Sequence, residues 1–168
     1  MEQIVTEQVV MDTNDDIIRR VERLTAHYIG CIDQDDLERW PAFFTDDGLY
    51  RIIARENYER GMPAGFLYCS GRGMLSDRIL ALRRANIYEP HYYRHMVSGT
   101  RLVRAESAGW RCATNFQVIR TMHTGEMSVF AVGCFDDLIV EHAGEILFKE
   151  KTVVCDSSRI DTLLVIPL

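Results

Sequence analysis

Two histidines four residues apart, His91 and His95, have the spacing that most invites chemistry. On a helix they would share one face and hold a metal together. Pro90 precedes them, however, and strand-forming residues follow, and four strand residues span about 13 Å, too far for one ion. They read as hydrogen-bonding histidines at a strand start or a subunit contact. The cysteines, Cys31, Cys69, Cys112, Cys134 and Cys155, are odd in number and scattered. A mixed-ligand iron–sulfur centre needs Cys-x-His and Cys-x-x-His pairs, and no cysteine here has a histidine at either distance. The five read as free thiols serving as small apolar side chains.

Two other candidate motifs are incomplete. Gly-Phe-Leu-Tyr-Cys-Ser-Gly-Arg-Gly (65–73) has the glycine density of a phosphate loop but lacks its Lys-Ser/Thr ending, and reads as a loop before a helix. There is no Gly-x-Ser-x-Gly elbow, and Cys69 has neither a histidine nor a helix dipole assignable to it. An acid–base arrangement stays open. Tyr28, Asp33, Tyr50, Tyr92 and His95 are the residue types that perform proton transfer when an apolar pocket moves their pKa toward neutrality. Asp33 would be the base and Tyr28 or Tyr50 a donor to an enolate. Against it, Asp33 stands in an acidic run with Asp35 and Asp36 that reads as a solvated helix cap, and the tyrosines are equally suited to filling a cavity.

These residues must be positioned by helices first and strands afterwards. Residues 1–13 read as an arm. Thr13 or Asn14 is expected to cap a helix with Asp15 and Asp16 in its first turn. Ile17, Ile18, Val21, Leu24, Tyr28 and Ile29 form its apolar stripe, and Gly30 suits its end. A short second helix carries Leu37, Trp40, Phe43 and Phe44 around Pro41. Asp46-Asp47-Gly48 reads as a turn before a strand over 49–53, residues 55–73 as a long loop, and 74–87 as a helix with Leu75, Ile79 and Leu82 on one face. From His91 on, segments 91–105, 109–123, 126–140 and 145–157 are rich in β-branched and aromatic residues. Ala108-Gly109, Thr124-Gly125 and Ala143-Gly144 separate them as hairpin connections. The order predicts one α+β domain over 14–168: an NTF2-like, cystatin-like cone, in which a long curved antiparallel sheet carries the N-terminal helices on one face.

Several stretches carry a resemblance. Asp-Asp-Leu-Glu-Arg-Trp-Pro-Ala-Phe-Phe-Thr-Asp-Asp-Gly (35–48) runs into Leu-Tyr-Arg-Ile. It is followed by Met-Leu-Ser-Asp-Arg-Ile (74–79), Leu-Arg-Arg-Ala-Asn-Ile-Tyr (82–88) and Tyr-Arg-His-Met-Val-Ser-Gly (93–99). With Cys155-Asp156-Ser157 and Asp161-Thr162-Leu163, these resemble the small (β) subunits of Rieske aromatic-ring-hydroxylating oxygenases, of the kind acting on carboxylates such as terephthalate or salicylate. The pairs Asp77-Arg78 and Arg94-His95 are the most specific; Gly99 departs from the asparagine often found there. The resemblance implies a chain with no catalytic residue, metal or cofactor of its own. The partner large (α) subunit would hold the [2Fe–2S] Rieske cluster and the mononuclear Fe(II). The small subunit would self-associate within an α3β3 hexamer, and a reductase, with or without a ferredoxin, would feed electrons from NAD(P)H to the α subunit.

Charge and composition agree with that class. A net charge of −6 on 168 residues offers no basic face for nucleic acid or an anionic membrane. With no apolar run of membrane-spanning length and no signal-like start, the chain reads as cytoplasmic. Arg78, Tyr88, Tyr92, Arg94 and His95 are the expected interface residues, since arginine and tyrosine are favoured at protein contacts. Arg78 reads equally as an intrachain partner. The apolar run Leu163-Leu164-Val165-Ile166-Pro167-Leu168 is expected to dock in the core or against another chain.

Overall fold

The structure, a computed structural model, describes residues 2–85, 87–160 and 164–168, with side chains from Asn14 onward. Asn86 and Asp161-Thr162-Leu163, quoted above, lie outside the described residues, as do the side chains of the expected arm. Helix α1 spans Glu2–Asp33, so the backbone does not begin its helix at the expected Thr13 or Asn14 cap. Ile17, Val21, Leu24, Tyr28 and Cys31 are buried at alternating steps of four and three, with Ile32 beside Cys31, one continuous face. The helix runs past Gly30. It is stopped by Asp35 in the left-handed region (φ 58°), with Asp36 N–H bonded to Cys31 O (2.9 Å) and Asp35 N–H to Ile32 O (3.1 Å). This is a Schellman closure with aspartate in the usual glycine position.

A 3₁₀ helix, Leu37–Phe43, follows and tolerates Pro41, because its short ladder asks little of that nitrogen. Strand β1 is Phe44–Ala54 and helix α2 Arg55–Glu59. Strand β2 is Leu67–Ser70 and helix α3 Gly71–Arg84. Then come the long strands β3 (His91–Glu106), β4 (Gly109–Met122), β5 (Met127–His142) and β6 (Glu145–Cys155). The expected turn at Asp46-Asp47-Gly48 lies inside β1. Between Phe44 and Leu49 the pairing with β6 advances only from Phe148 to Glu150, so the polar residues are extruded as a bulge. The expected loop over 55–73 contains α2 and β2. Four residues of mixed exposure give β2 too short a pattern to read, and pairing with β1 makes it a strand.

The curved sheet has the order β2-β1-β6-β5-β4-β3. All neighbours are antiparallel except β1 and β6, which run parallel because the chain leaves β1, crosses through α3 and returns by the β3–β5 meander. Helices α1 and α3 pack on one face, bringing Val21, Tyr28, Leu75 and Ile79 onto Tyr50, Phe135 and Phe148. Arg83, in the last turn of α3, ties the layer together: its guanidinium holds Asp35 at 2.8 Å and Glu38 at 2.8 Å. No described helix is long and apolar enough to cross a membrane.

Candidate functional site

Cross-strand register places Tyr50, Lys151, Asp137 and Cys112 in one row, side by side on the face that the helices cover. Tyr28 from α1, Trp40 from the 3₁₀ helix, Phe44 and Tyr50 from β1, Phe135 from β5 and Phe148 from β6 meet there. Their rings contact edge-on: Trp40 and Tyr50 centroids are 5.0 Å apart, Tyr28 and Phe148 5.4 Å. Within this shell lies an ion pair. Lys151 Nζ is 3.0 Å from Asp137 Oδ2 and 3.7, 4.5 and 4.6 Å from the ring centres of Phe135, Phe148 and Tyr28. Burial raises the Asp137 carboxyl to about 6, with Lys151 pulling it back. Burial lowers the Lys151 ammonium, with Asp137 opposing. The sequence reading missed this pair. Its signal was the phase of β5, where Asp137 alternates with Phe135 and Ile139, both inward.

The rest of the cone is filled by the chain itself. Leu164, Val165, Ile166, Pro167 and Leu168 are buried, so the apolar tail docks in its own core. The hydroxyls of Tyr28 and Tyr50 donate to Leu168 O at 2.6 and 3.0 Å, and Leu168 N–H donates to Tyr50 Oη at 2.9 Å. Arg78 donates to Leu164 O, an intrachain contact that holds the start of the tail.

Of the acid–base candidates, Asp33, Tyr28 and His95 do not assemble into one site. Asp33 and His95 do meet: Asp33 Oδ1 is 2.6 Å from His95 Nδ1, and Oδ2 accepts the His95 main-chain N–H at 3.0 Å. Their side chains are 6 % and 0 % exposed, so Asp33 is not a solvated cap. Its two oxygens satisfy a donor pair on β3 that the sheet edge leaves unpaired. Tyr28, however, spends its hydroxyl on Leu168. His95 is likewise not a surface residue, because its place on the inward side of β3 with Tyr93 and His91 puts it under α1. His91 Nδ1 is bonded to Glu89 O at 2.7 Å, away from His95. A hollow of about 230 Å³ beside Asp33 is lined by Tyr88, His91, Tyr92, Tyr93 and Ile166. Cys69 is buried, and burial holds its thiol up. Among the described residues no three His, Cys, Asp or Glu side chains are grouped to hold a metal ion.

Tyr92 and Arg94 point to the opposite face of the sheet. Cross-strand rows there run Tyr92, Thr121, Met127; then Arg94, Ile119, Val129; then Met96, Gln117, Val132. Tyr92 (73 %), Met127 (71 %) and Val129 (59 %) are largely exposed, and Met96 and Val132 stand beside them. Val129 and Val132 also line a groove of about 420 Å³ with Asp156, Ser157 and Arg159. Tyr88 is half-buried against the core and lines the hollow. Gly99 opens a bulge in β3 with φ 62°, a region glycine and asparagine share, so its departure from the usual asparagine keeps the local backbone.

Comparison with known proteins agrees with this geometry. The family model described as ring hydroxylating beta subunit matches residues 29–162. The chain is 41 % identical over 145 residues to the anthranilate 1,2-dioxygenase small subunit of Burkholderia cepacia, covering 86 % of this chain and 90 % of that one. It is 40 % identical over 149 residues to terephthalate 1,2-dioxygenase terminal oxygenase component subunit beta 1 of a Comamonas species, covering 89 % and 97 %. A crystal structure from Novosphingobium aromaticivorans, assigned as the beta subunit of an aromatic-ring-hydroxylating dioxygenase, superposes with a TM-score of 0.82 at 34 % identity over 90 % of this chain and 96 % of that one. With its filled cone, its six-stranded sheet and relatives of this kind along most of its length, the chain belongs to the family of ring-hydroxylating dioxygenase beta subunits.

Proposed function

We propose that this chain is an assembly subunit of a Rieske oxygenase that hydroxylates a carboxylated aromatic ring, and that it contributes structure and no reacting group. The observation that carries the reading is the division of the sheet. One face is occupied at its centre by ring stacks, an ion pair and the tail, with a hollow of about 230 Å³ left at its rim beside Asp33. The other presents Tyr92, Met96, Met127, Val129 and Val132 to solvent. Apolar patches of this kind mark protein contacts. The partner is the large subunit, whose [2Fe–2S] cluster and mononuclear Fe(II) carry the chemistry, and the small subunits also meet one another in an α3β3 hexamer. Electrons reach the large subunit from NAD(P)H through a reductase, with or without a ferredoxin. The carboxylated substrate follows from the relatives, since anthranilate and terephthalate are both aromatic acids. Residues 14–168 act as one domain with 1–13 as an arm, in the cytoplasm. Tyr92 and Arg94, flanked by Tyr88, belong to the contact with the large subunit; Arg78 and His95 support it from within.

The test is co-expression with the large subunit, followed by sizing and iron analysis. The expected result is a coloured complex whose iron stays with the large subunit when the two are separated, and a small subunit that alone binds no iron and turns over no aromatic acid. Stoichiometric iron in the isolated small subunit, or turnover by it, sinks the reading.

A further inference from the structure

Helix α1 is longer than the sheet it packs on. Arg20 holds Glu141 at 3.2 Å, and Glu141 pairs with Ile146 beside the β5–β6 turn. The β3–β4 turn lies at the same end, since Trp110 stands opposite Ile139. From Arg20 the helix backbone continues to Glu2, about 27 Å further at 1.5 Å per residue. Ile17 is buried, whereas Asp15 and Asp16 before it are exposed. Residues 2–16 contain Ile4, Val5, Val9, Val10 and Met11 together with five acids, Glu2, Glu7, Asp12, Asp15 and Asp16, and no lysine or arginine. A stretch of this length, rich in β-branched residues, is a marginal helix in water by itself. The surface that suits it is apolar with a basic rim.

The protein has such a surface. A groove of about 540 Å³ runs between α1, the 3₁₀ helix and the β5–β6 turn, with Leu24, Phe43, Ile146 and Leu147 as its apolar lining. Arg20, Arg23 and His27, three and four residues apart on α1, and Arg39 are its basic groups, with Glu145 the one acid. Arg23 and His27 are exposed and make no hydrogen bond or ion pair among the described residues. On a chain of net charge −6, a basic groove selects an acidic occupant. Residues 20–27 of the same continuous helix wall the groove, so a chain's own residues 2–16 do not reach into it. We propose that residues 2–16 of one small subunit dock in this groove of a second copy, with Asp12, Asp15 and Asp16, at i, i+3 and i+4, paired to Arg23, His27 and Arg39. Segment and groove are different patches of one chain, so the contact is head-to-tail and closes as a ring. The inference rests on the reading that small subunits meet one another in an α3β3 hexamer, and it gives that meeting its surface.

The experiment is sedimentation velocity of the full-length small subunit alone, with co-purification with the large subunit measured beside it. Arg23→Glu with Arg39→Glu reverses the groove; Asp12→Lys, Asp15→Lys and Asp16→Lys reverse the segment. Arg23 and Arg39 are exposed, and the ion pair of Arg39 with Asp36 is at the surface, so circular dichroism should show the fold unchanged. The wild type is expected as a trimer whose dissociation constant rises at least about tenfold in either variant, because like charges then face each other. The chain carrying both sets should recover the trimer, since attraction returns with the signs exchanged. Amide exchange over residues 2–16 should be slower in the wild type than in the groove variant. If either set misfolds, Arg23→Glu and Asp16→Lys, singly and together, decide in its place. A wild type that stays monomeric, a reversed groove or segment that leaves the trimer intact, or a doubly reversed chain that does not recover it overturns the proposal. A monomeric small subunit that still joins the large subunit sinks this inference alone; one that joins nothing sinks the assembly reading with it.

Discussion

Lys151 and Asp137 show how a single pair constrains this protein. A buried ion pair stabilises less than its short distance suggests, because both charges lose water; breaking it is costly, because one charge is then stranded. Lys151→Met should therefore cost about 3–5 kcal/mol, and Lys151→Met combined with Asp137→Leu far less. The single variant should also show a steeper pH dependence than the wild type, of the same sign. Asp137 already has a folded pKa raised to about 6, above its unfolded value, and loss of Lys151 raises it further. A carboxyl raised on folding contributes stability at low pH and withdraws it as the pH rises through its folded value. Urea unfolding of K151M at pH 5 and pH 8 should thus show the variant weaker at pH 8. A midpoint independent of pH would mean that the lost ammonium is replaced by water.

Elements here are fixed by register as much as by propensity. Strands β5 and β6 approach so closely at Gly133 that an added Cβ would lie 1.9 Å from Val154 O, which is main chain and cannot rotate away. Gly133→Ala must separate two central strands and should cost about 3 kcal/mol or more. In α3, Gly73 has open space around its Cβ position and helical neighbours. Gly73→Ala should stabilise by up to about 1 kcal/mol, from helix propensity alone. Denaturant midpoints of the two variants should move in opposite directions. A Gly133→Ala midpoint equal to the wild type would show that β5 and β6 part easily at that point. The bulge in β1 follows the same logic: Asp46 and Asp47 stay in water, paired with Arg72 and Lys149, only because the register with β6 slips there.

At the scale of the whole molecule, the two faces of one sheet have opposite fates. The inward rows are consumed by α1, α3 and the tail. The outward rows Tyr92-Thr121-Met127 and Arg94-Ile119-Val129 remain uncovered. Val129→Asp touches nothing the isolated fold needs, since Val129 is 59 % exposed. It should leave the melting temperature of the small subunit unchanged and abolish co-purification with the large subunit, as a charge placed in a desolvated contact does. A V129D subunit that co-purifies normally would move the contact to another surface.

The amino-acid sequence determined the parts of this protein that depend on near neighbours. The stripe Ile17, Val21, Leu24, Tyr28 marked α1, the three glycine-bearing connections marked the meander of β3 to β6, and no cysteine has a histidine at the spacing of a mixed iron–sulfur centre. The motifs from Asp35 to Gly99 carried the family. Only the tertiary structure decided what meets across long separations. Asp33 finds His95 sixty-two residues away, Tyr28 finds Leu168 at one hundred and forty, and Lys151 finds Asp137 through the β5–β6 register. Local periodicity reports which way a side chain points relative to its own strand or helix. It does not report which strand lies opposite, so the parallel pairing of β1 with β6, the burial of an aspartate that reads as solvated and the filling of the cone by the tail all waited on the packing of the sheet.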